Sequence, residues 1–487
     1  MTEPPVDDVA PHPVPLGRIA HAFSIQLICR VLGLLASMFS VAMTARYLGP
    51  EFYGQLSIAV VFIAMWTSLA HLGLATVIVR RVTSGRGDLE RLVRVNSGMA
   101  LIYCVPLAAV AAVSGLLVYD ERNVQVMLVV LSGGLLLQTM VTRFEPVFLA
   151  TVRFTAVAIS DVAGRVGTLI TVACLVAMHA DLIWFAVAQL VPPLLQLLIQ
   201  GYAAMRHVSV RPVFARREAL DLLRESLPLT AFLVAGLLYS NVDGVILSLL
   251  SSDFEVGVYR LAFTIAWSTI AVPLVFHSST LATATGLFAR SIDAFAGFLR
   301  RSVEVMAFVA LPISVIGVLL AEPLIALFGD VAFVDRGTPT LALLFVAAGM
   351  RFISSTLGQG LIASHQQRVL LWLTLATLAL NIGINIALAS RFGAVGAGVS
   401  LVCTEVFHMT ISTWRLRRRC GYRTPLLFLL RLLIPTGASA AVVLALSGLH
   451  VVVILTGAAA VYLAVSALVG PLRWSDLASF RGKQAIT

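Results

Sequence analysis

The sequence predicts an all-α polytopic membrane protein of about 14 transmembrane helices, arranged as two six-helix lobes plus two C-terminal helices. Three observations carry that expectation. Apolar runs of about 20 residues, enough to cross a ~30 Å hydrocarbon core, recur along the whole chain. Across 487 residues, 59% are hydrophobic and only 12% charged, too little polarity to cover a water-soluble domain of this length. Basic residues alternate in phase with the apolar runs, filling one set of connecting segments and nearly avoiding the other. The runs lack the ten-residue alternation of barrel strands, so they read as helices.

In order, the runs cover residues 19–45, 53–79, 97–119, 124–142, 154–178 and 182–205, then 227–250, 257–288, 302–328, 338–363, 369–390, 394–414, 425–447 and 450–471. A break at Glu145 and Pro146 leaves room to extend the fourth run. With a cytoplasmic N-terminus, the inner segments collect most of the 34 Lys and Arg residues. The outer loops hold only Arg46, Arg122, Arg336 and Arg391. One missed or invented span would scramble that phase, so both termini are expected in the cytoplasm.

Residues 1–18 are Pro-rich and acidic, and read as a disordered N-tail, with 472–487 as a C-tail. The first run is too long for a cleavable signal core and reads as an uncleaved insertion signal. The net charge of +10 sits in short loops between spans. It is accounted for by topology and contact with membrane lipids, and not by nucleic acid. Five cysteines without a CxxC or Cys/His cluster point to neither a metal site nor a disulfide framework.

Residues 206–226 form a basic cytoplasmic linker with Arg206, Arg211, Arg216, Arg217 and Arg224. It separates an N-lobe, 19–205, from a C-lobe, 227–414, with two further spans in 415–471. From Arg216 onward Leu220, Leu223 and Leu227 recur at helical spacing, which predicts an amphipathic helix on the inner leaflet. An inter-lobe linker and a plain interfacial anchor both fit that pattern. A short internal match supports a six-span repeat. GQLSIA from Gly54 lines up with GVYRLA from Gly257, each following an acidic residue and Phe.

Arg30, Arg165, Arg260, Arg351 and Arg431 lie inside apolar runs. A guanidinium at membrane depth is costly and persists where it faces protein interior or a hydrated cavity, so the set suggests an anionic cargo. Arg30 lies about 11 residues into the first span, roughly 16 Å deep, without an acid within four positions. Arg165 has Asp161 one turn earlier, the spacing of a neutralised pair. Arg351 is central in its span and followed by Ser354, Ser355 and Thr356, the composition of a cavity face. Arg260 and Arg431 lie nearer span ends, where snorkelling is the competing explanation.

A second constellation could couple transport to an ion. Asp243 has no cation within four positions, Asn381 and Asn385 share one face of the eleventh span, and Thr404 and Glu405 lie in the twelfth. One carboxylate with neutral oxygens suits Na⁺, or a carboxyl that carries H⁺. Polar residues bonding across the bundle would look the same in sequence. No phosphate-cradling glycine loop, HExxH or Ser/His/Asp grouping is present, so no enzyme activity and no bound cofactor is expected.

Four stretches resemble the oligosaccharide (polysaccharide) flippases of the multidrug/oligosaccharidyl-lipid/polysaccharide exporter superfamily. They are RYLGPEFYGQLSIA from Arg46, SNVDGVILSLLSSDFEVGVYRLA from Ser240, LAEPLIALFGD from Leu320 and NIGINIALASRFGAVGAG from Asn381. The resemblance implies two six-helix lobes around a central cavity and alternating access. Its implied cargo is a polyprenyl-diphosphate-linked oligosaccharide, moved to the outer leaflet of a bacterial plasma membrane for envelope polysaccharide synthesis. Implied partners are glycosyltransferases or a polymerase of the same pathway.

In the lipid II flippase branch, arginines on the first and eighth spans are implicated in diphosphate binding, and Arg30 and Arg260 resemble that pair. Asp243, Asn381 and Asn385 resemble part of a sodium site found in some of those proteins. Two departures, Val31 and Asn385 standing where acids are frequent, weaken a lipid II assignment, which stays the alternative, and leave the coupling ion open. Multidrug extrusion, a further alternative, would call for an acidic cavity; the excess of arginine speaks against it, while Asp161, Asp243 and Glu405 keep it open. A glycan polymerase would call for a long outer loop, and the outer loops here are short.

Overall fold

The computed structural model describes residues 16–151 and 155–469, so the C-tail and residues 1–15 of the expected N-tail lie outside them. Every regular element among the described residues is helical. The first lobe comprises α1 (Leu16–His71), α2 (Leu74–Thr83), α3 (Leu89–Val118), α4 (Arg122–Thr142), α5 (Glu145–Ala150), α6 (Thr155–Ala177), α7 (Leu182–Ala188) and α8 (Val191–Met205). The second comprises α9 (Arg216–Leu250), α10 (Asp253–Trp267), α11 (Ala271–Arg290), α12 (Ile292–Leu319), α13 (Ala321–Phe328), α14 (Val331–Ala363) and α15 (Gln367–Cys420). Helices α16 (Leu426–Ala445) and α17 (Val451–Val469) follow.

Eleven of the helical stretches are long and apolar enough to cross a membrane. Two of these are pairs of spans folded back without a loop. In α1 the chain reverses at Gly49, with φ 71° and ψ 174°, followed by Pro50. In α15 it reverses at Gly393, with φ 57° and ψ −132°. A Cβ disfavours positive φ, so glycine allows a turn that leaves almost no residues outside the helices. These two hairpins, with the apolar part of α9, complete fourteen spans.

The eighth span is broken. A 3₁₀ turn at Ser268–Ile270 joins α10 to α11, where Pro273 in the first turn lacks an N–H. Aspartate and serine caps mark other helix starts: Asp88 accepts from Arg91 N at 2.9 Å, and Ser291 from Ala294 N at 3.2 Å.

The linker differs from the amphipathic pattern in one respect. From Arg216 it continues without interruption into the seventh span as α9. Leu220 and Leu227 are exposed, and the face that packs carries Leu222 and Ser226. Leu222 fills a cluster with Leu74, Ile78 and Leu92 of the first lobe. Glu225 bridges Arg80 and Arg81, and Arg91 Nη2 lies 2.9 Å from Glu218 Oε1. Spacing alone could not show this, because the exposed leucines and the packed ones both recur at helical intervals.

The lobes lock together at the end of the bundle whose loops are poor in basic residues. Tyr53, Leu56 and Phe62 of α1 share one core with Val256, Tyr259 and Ala262 of α10 and Phe333 of α14. Around it Gln55 Nε2 donates to Asp253 Oδ2 at 3.1 Å, Arg46 Nη1 to Leu327 O at 3.0 Å, and Tyr119 and Ser248 share a 2.7 Å hydrogen bond. Helices α16 and α17 attach to the second lobe, where Tyr462 donates to Phe308 O at 2.6 Å.

Candidate functional site

The first span has three distinct faces. At about 100° per residue, Val31, Leu32, Leu35 and Phe39 fall on one side, and all are exposed. Gly33, Ala36, Ser40 and Thr44 fall on another and are buried. Arg30, Leu34, Ser37 and Val41 define the third, a sector of about 60°. Arg30 is exposed there, and the other three are half-buried. The apolar exposed face is the one that suits acyl chains, so Arg30 projects from a side separate from the lipid-facing stripe.

Arg165 of α6 reaches the same part of the first span. Its Nη1 donates to Ser37 Oγ at 2.8 Å and its Nε to Asp161 Oδ2 at 3.0 Å. The pair with Asp161 matches the i,i+4 spacing, yet both side chains remain about two-fifths exposed (41% and 42%). Gly33 makes room for it, since a Cβ there would lie 2.9 Å from Arg165 Cδ. Arg30 and Arg165 therefore approach one accessible region between spans one and five. Ser37 is its addition to the sequence-derived set, and its signal was the seven-residue spacing from Arg30.

Arg260 is half-buried in an aromatic setting, its Cζ 5.6 Å from the Phe263 ring centroid, with Tyr53 and Tyr259 in electrostatic range. Tyr53 comes from the first lobe, so Arg260 sits at the lobe interface. It is not held against Arg30 or Arg165 by any contact among the described residues.

Arg351 pairs with Glu405. Arg351 Nη1 donates to Glu405 Oε1 at 3.0 Å, and Ser354 Oγ donates to Oε2 at 2.5 Å. Glu405 is fully buried, so its pairing with Arg351 and its hydrogen bond from Ser354 offset the cost of burying its charge. The pair joins a residue expected at the cargo site with one expected at the ion site. They lie more than fifty positions apart, so spacing carried no signal of it.

Asp243, Asn381 and Asn385 do meet, fully or almost fully buried. Asn385 Nδ2 lies 2.5 Å from Asp243 Oδ1, 3.2 Å from Asn381 Oδ1 and 3.1 Å from Ser400 Oγ. It has two hydrogens for three acceptors, and among the described residues Asp243 Oδ2, Asn381 Nδ2 and Asn385 Oδ1 make no hydrogen bond of good geometry. Thr404 lies one turn beyond Ser400 and bonds its own helix at Leu401 O, 2.9 Å away. Sequence reasoning missed Ser400; its signal was the four-residue spacing to Thr404 on one face of the twelfth span. One carboxylate among neutral oxygens, some without a hydrogen bond of good geometry, has the donor set a hard monovalent cation or a proton requires.

The comparisons follow this geometry. The solved structure of a lipid II flippase, MurJ, in an inward closed conformation matches with a TM-score of 0.77 at 13% identity, over 92% of this chain and 98% of that one. An inward-facing multidrug resistance MATE family transporter of the MOP superfamily matches with 0.67 at 14% identity, over 82% and 98%. An outward-facing MATE transporter matches with 0.53 at 13% identity, over 81% and 95%. No curated protein matches the sequence. The family model for "Polysaccharide biosynthesis protein" matches residues 20–280, which is more than half of the sequence. With the fold common to MurJ and the MATE transporters of the MOP superfamily, the chain is a multi-pass membrane protein that belongs to the polysaccharide biosynthesis protein family.

Proposed function

We propose that this protein is a flippase that carries a polyprenyl-diphosphate-linked oligosaccharide from the cytoplasmic to the outer leaflet by alternating access, for envelope polysaccharide synthesis. The observation that carries the reading is the third face of the first span, where Arg30 stands apart from the lipid stripe and shares a face with Ser37, which Arg165 reaches. A diphosphate cannot cross hydrocarbon unpaired. Guanidinium forks in a hydrated gap between lobes supply charge-assisted, paired donors for it, while the polyprenyl chain stays in lipid. Arg30 and Arg165 are the diphosphate contacts in this reading, Arg260 a contact at the lobe interface, and Arg351 a residue of the C-lobe cavity.

The membrane is a bacterial plasma membrane with both termini cytoplasmic, in keeping with the basic segments gathered at one end of the bundle. The lobes are joined at the other end by Arg46, Gln55 and Tyr119, which supports entry of the cargo from the basic side. Asp243, Asn381, Asn385 and Ser400 take Na⁺ or H⁺ as the coupling ion, and Thr404 borders them. Glycosyltransferases or a polymerase of the same pathway supply and consume the cargo.

Proteoliposomes test this directly. A labelled undecaprenyl-diphosphate oligosaccharide placed in the inner leaflet should become accessible outside faster than in protein-free vesicles. Lipid II, supplied in parallel, should not. An equal rate with and without protein for the oligosaccharide removes the proposal, and movement of lipid II alone reassigns the cargo.

A further inference from the structure

The second lobe holds a cavity of about 390 Å³ between α9, α11, α14 and α15, in the half of the bundle nearer the basic segments. That lies within the ~300–1,000 Å³ range of small-molecule sites. Neither Arg30 nor Arg165 lines it, and neither do the Asp243 cluster residues.

We infer that this cavity is a subsite for a neutral, hydroxyl-rich sugar of the cargo, distinct from the diphosphate contacts. The inference rests on the flippase reading and adds the class of glycan that the carrier accepts.

Charge comes first. Among the described residues, the only formal charge on the wall is that of Arg351, which is already bonded to Glu405. An incoming anion would have to compete with a fully buried carboxylate that Ser354 also holds. A diphosphate or an acidic sugar therefore gains little here. A neutral hydroxyl asks for no new counter-charge, so it leaves the pair intact.

The wall mixes the apolar and polar contacts that a pyranose ring needs. Leu274, Leu281, Ile362 and Leu370 offer apolar contact for C–H faces. Interleaved with them along the same helix faces are His277, Gln359, Ser355 and His408, with donors and acceptors for hydroxyls. Two of these are preset by the protein. His277 Nε2 and Thr356 Oγ1 are 3.1 Å apart, and Gln359 Nε2 donates to His277 O at 2.8 Å. Held in place this way, they keep their orientation when a ligand arrives.

His408 supplies the second, independent sign. It is 7% exposed, and its Nδ1 has no hydrogen-bond partner. Its Cε1, between the two ring nitrogens, lies 4.0 Å from the site of a Cβ on Gly358, so this edge of the ring faces α14 at the margin of the cavity that both residues line. A buried polar atom without a partner is costly, and a ligand hydroxyl removes the cost.

Two glycines keep the space open. A Cβ on Gly236 would meet nothing within 4 Å, and one on Gly358 would make only ordinary contacts, at 3.7 Å and beyond. Helix propensity favours alanine at both positions, so cavity volume and not backbone geometry is what glycine preserves.

Binding to the full-length protein in nanodiscs tests the subsite. The probes are bare undecaprenyl diphosphate and the same lipid bearing a neutral hexose disaccharide or a uronic-acid disaccharide. The wild-type protein should bind the neutral glycolipid at least tenfold tighter than the bare lipid, and tighter than the acidic one. Gly236→Leu and His408→Phe should erase that preference while leaving affinity for the bare lipid unchanged. A preference that survives both variants, a wild type that prefers the acidic glycolipid, or no preference at all overturns the subsite while the flippase reading stands. Arg30→Ala should weaken all three probes alike, which separates the two sites. Binding of none of the probes by the wild type removes both readings.

Discussion

Gly54 and Gly257 face each other across the lobe interface, and each abuts the backbone that precedes its partner. A Cβ on Gly54 would lie 1.8 Å from Asp253 O, and one on Gly257 would lie 2.0 Å from Pro50 O. Gly54 is to Asp253 as Gly257 is to Pro50, since each glycine lies four residues after the carbonyl that its partner meets. The contact is therefore reciprocal, as a pseudo-two-fold axis between repeated lobes requires. In the alternating-access reading proposed above, the second and eighth spans would be the pivot about which the lobes close.

Gly54→Ala and Gly257→Ala should each force the pivot apart, because the obstruction is backbone that cannot rotate away. We expect a loss of about 1–3 kcal/mol or more in stability. Transport should fall by more than the loss of folded protein explains. The double variant should be less than additive, because the residues touch. Thermal melting in detergent beside transport in proteoliposomes checks this; wild-type melting for both single variants would remove the pivot.

Arg30→Ala should leave expression and melting unchanged, since no described residue holds its exposed side chain. Transport should fall about 10- to 100-fold, the worth of one charge-assisted hydrogen bond at roughly 1.5–3 kcal/mol. Arg30→Lys should recover only part, because an ammonium lacks the paired fork. Full activity in Arg30→Ala would take this residue out of the mechanism.

Asp243→Asn preserves shape and hydrogen bonding and deletes the one carboxylate of its cluster. The variant should fold and lose the response of transport to an imposed Na⁺ or pH gradient. Measuring rates under each gradient in turn names the ion. If the wild type ignores both gradients, the cluster is only a polar clasp between helices.

Glu405→Ala should cost about 3–5 kcal/mol, because it leaves the Arg351 guanidinium unpaired at membrane depth. The double variant Arg351→Met with Glu405→Leu should melt closer to the wild type than the single variant does. If the single variant melts as the wild type does, the pair is not structural.

The linker contacts should respond to acid. Hydrogen bonds from Arg80 and Arg81 hold the Glu225 carboxyl below its ordinary value, and Arg91 does the same for Glu218. A depressed carboxyl stabilises above its unfolded value, near 4.5, and loses that contribution as pH falls through the lower folded value. The latch should be intact from about pH 5 to 8. It should loosen only in stronger acid, and Glu225→Gln should loosen it at pH 7. Hydrogen exchange across residues 216–226 reports it, and equal protection in the variant and wild type would show that Leu222 alone holds the helix.

Span positions and the short outer turns were legible in the chain, because both follow from local composition: apolar length sets a span, and basic residues mark one side. The i,i+4 pair of Asp161 and Arg165 was legible for the same local reason. Gly54 and Gly257 were visible as a weak repeat, without any sign that they touch. The continuity of α9 from the linker into the membrane was hidden, because a basic segment before an apolar one reads as a boundary whether or not the helix breaks there.

By itself, the sequence determined an all-helical, membrane-spanning chain with six-span periodicity and too many arginines at membrane depth. These are properties of segments, set by the cost of exposing peptide groups and charge to hydrocarbon. Tertiary structure alone decided which charge answers which. It gave Glu405 to Arg351, gathered Ser400 with Asp243, and left Arg30 on an open face shared with Ser37, which Arg165 reaches. Charges in low dielectric find partners through space, across helices far apart in the chain, and only the packed bundle specifies those distances.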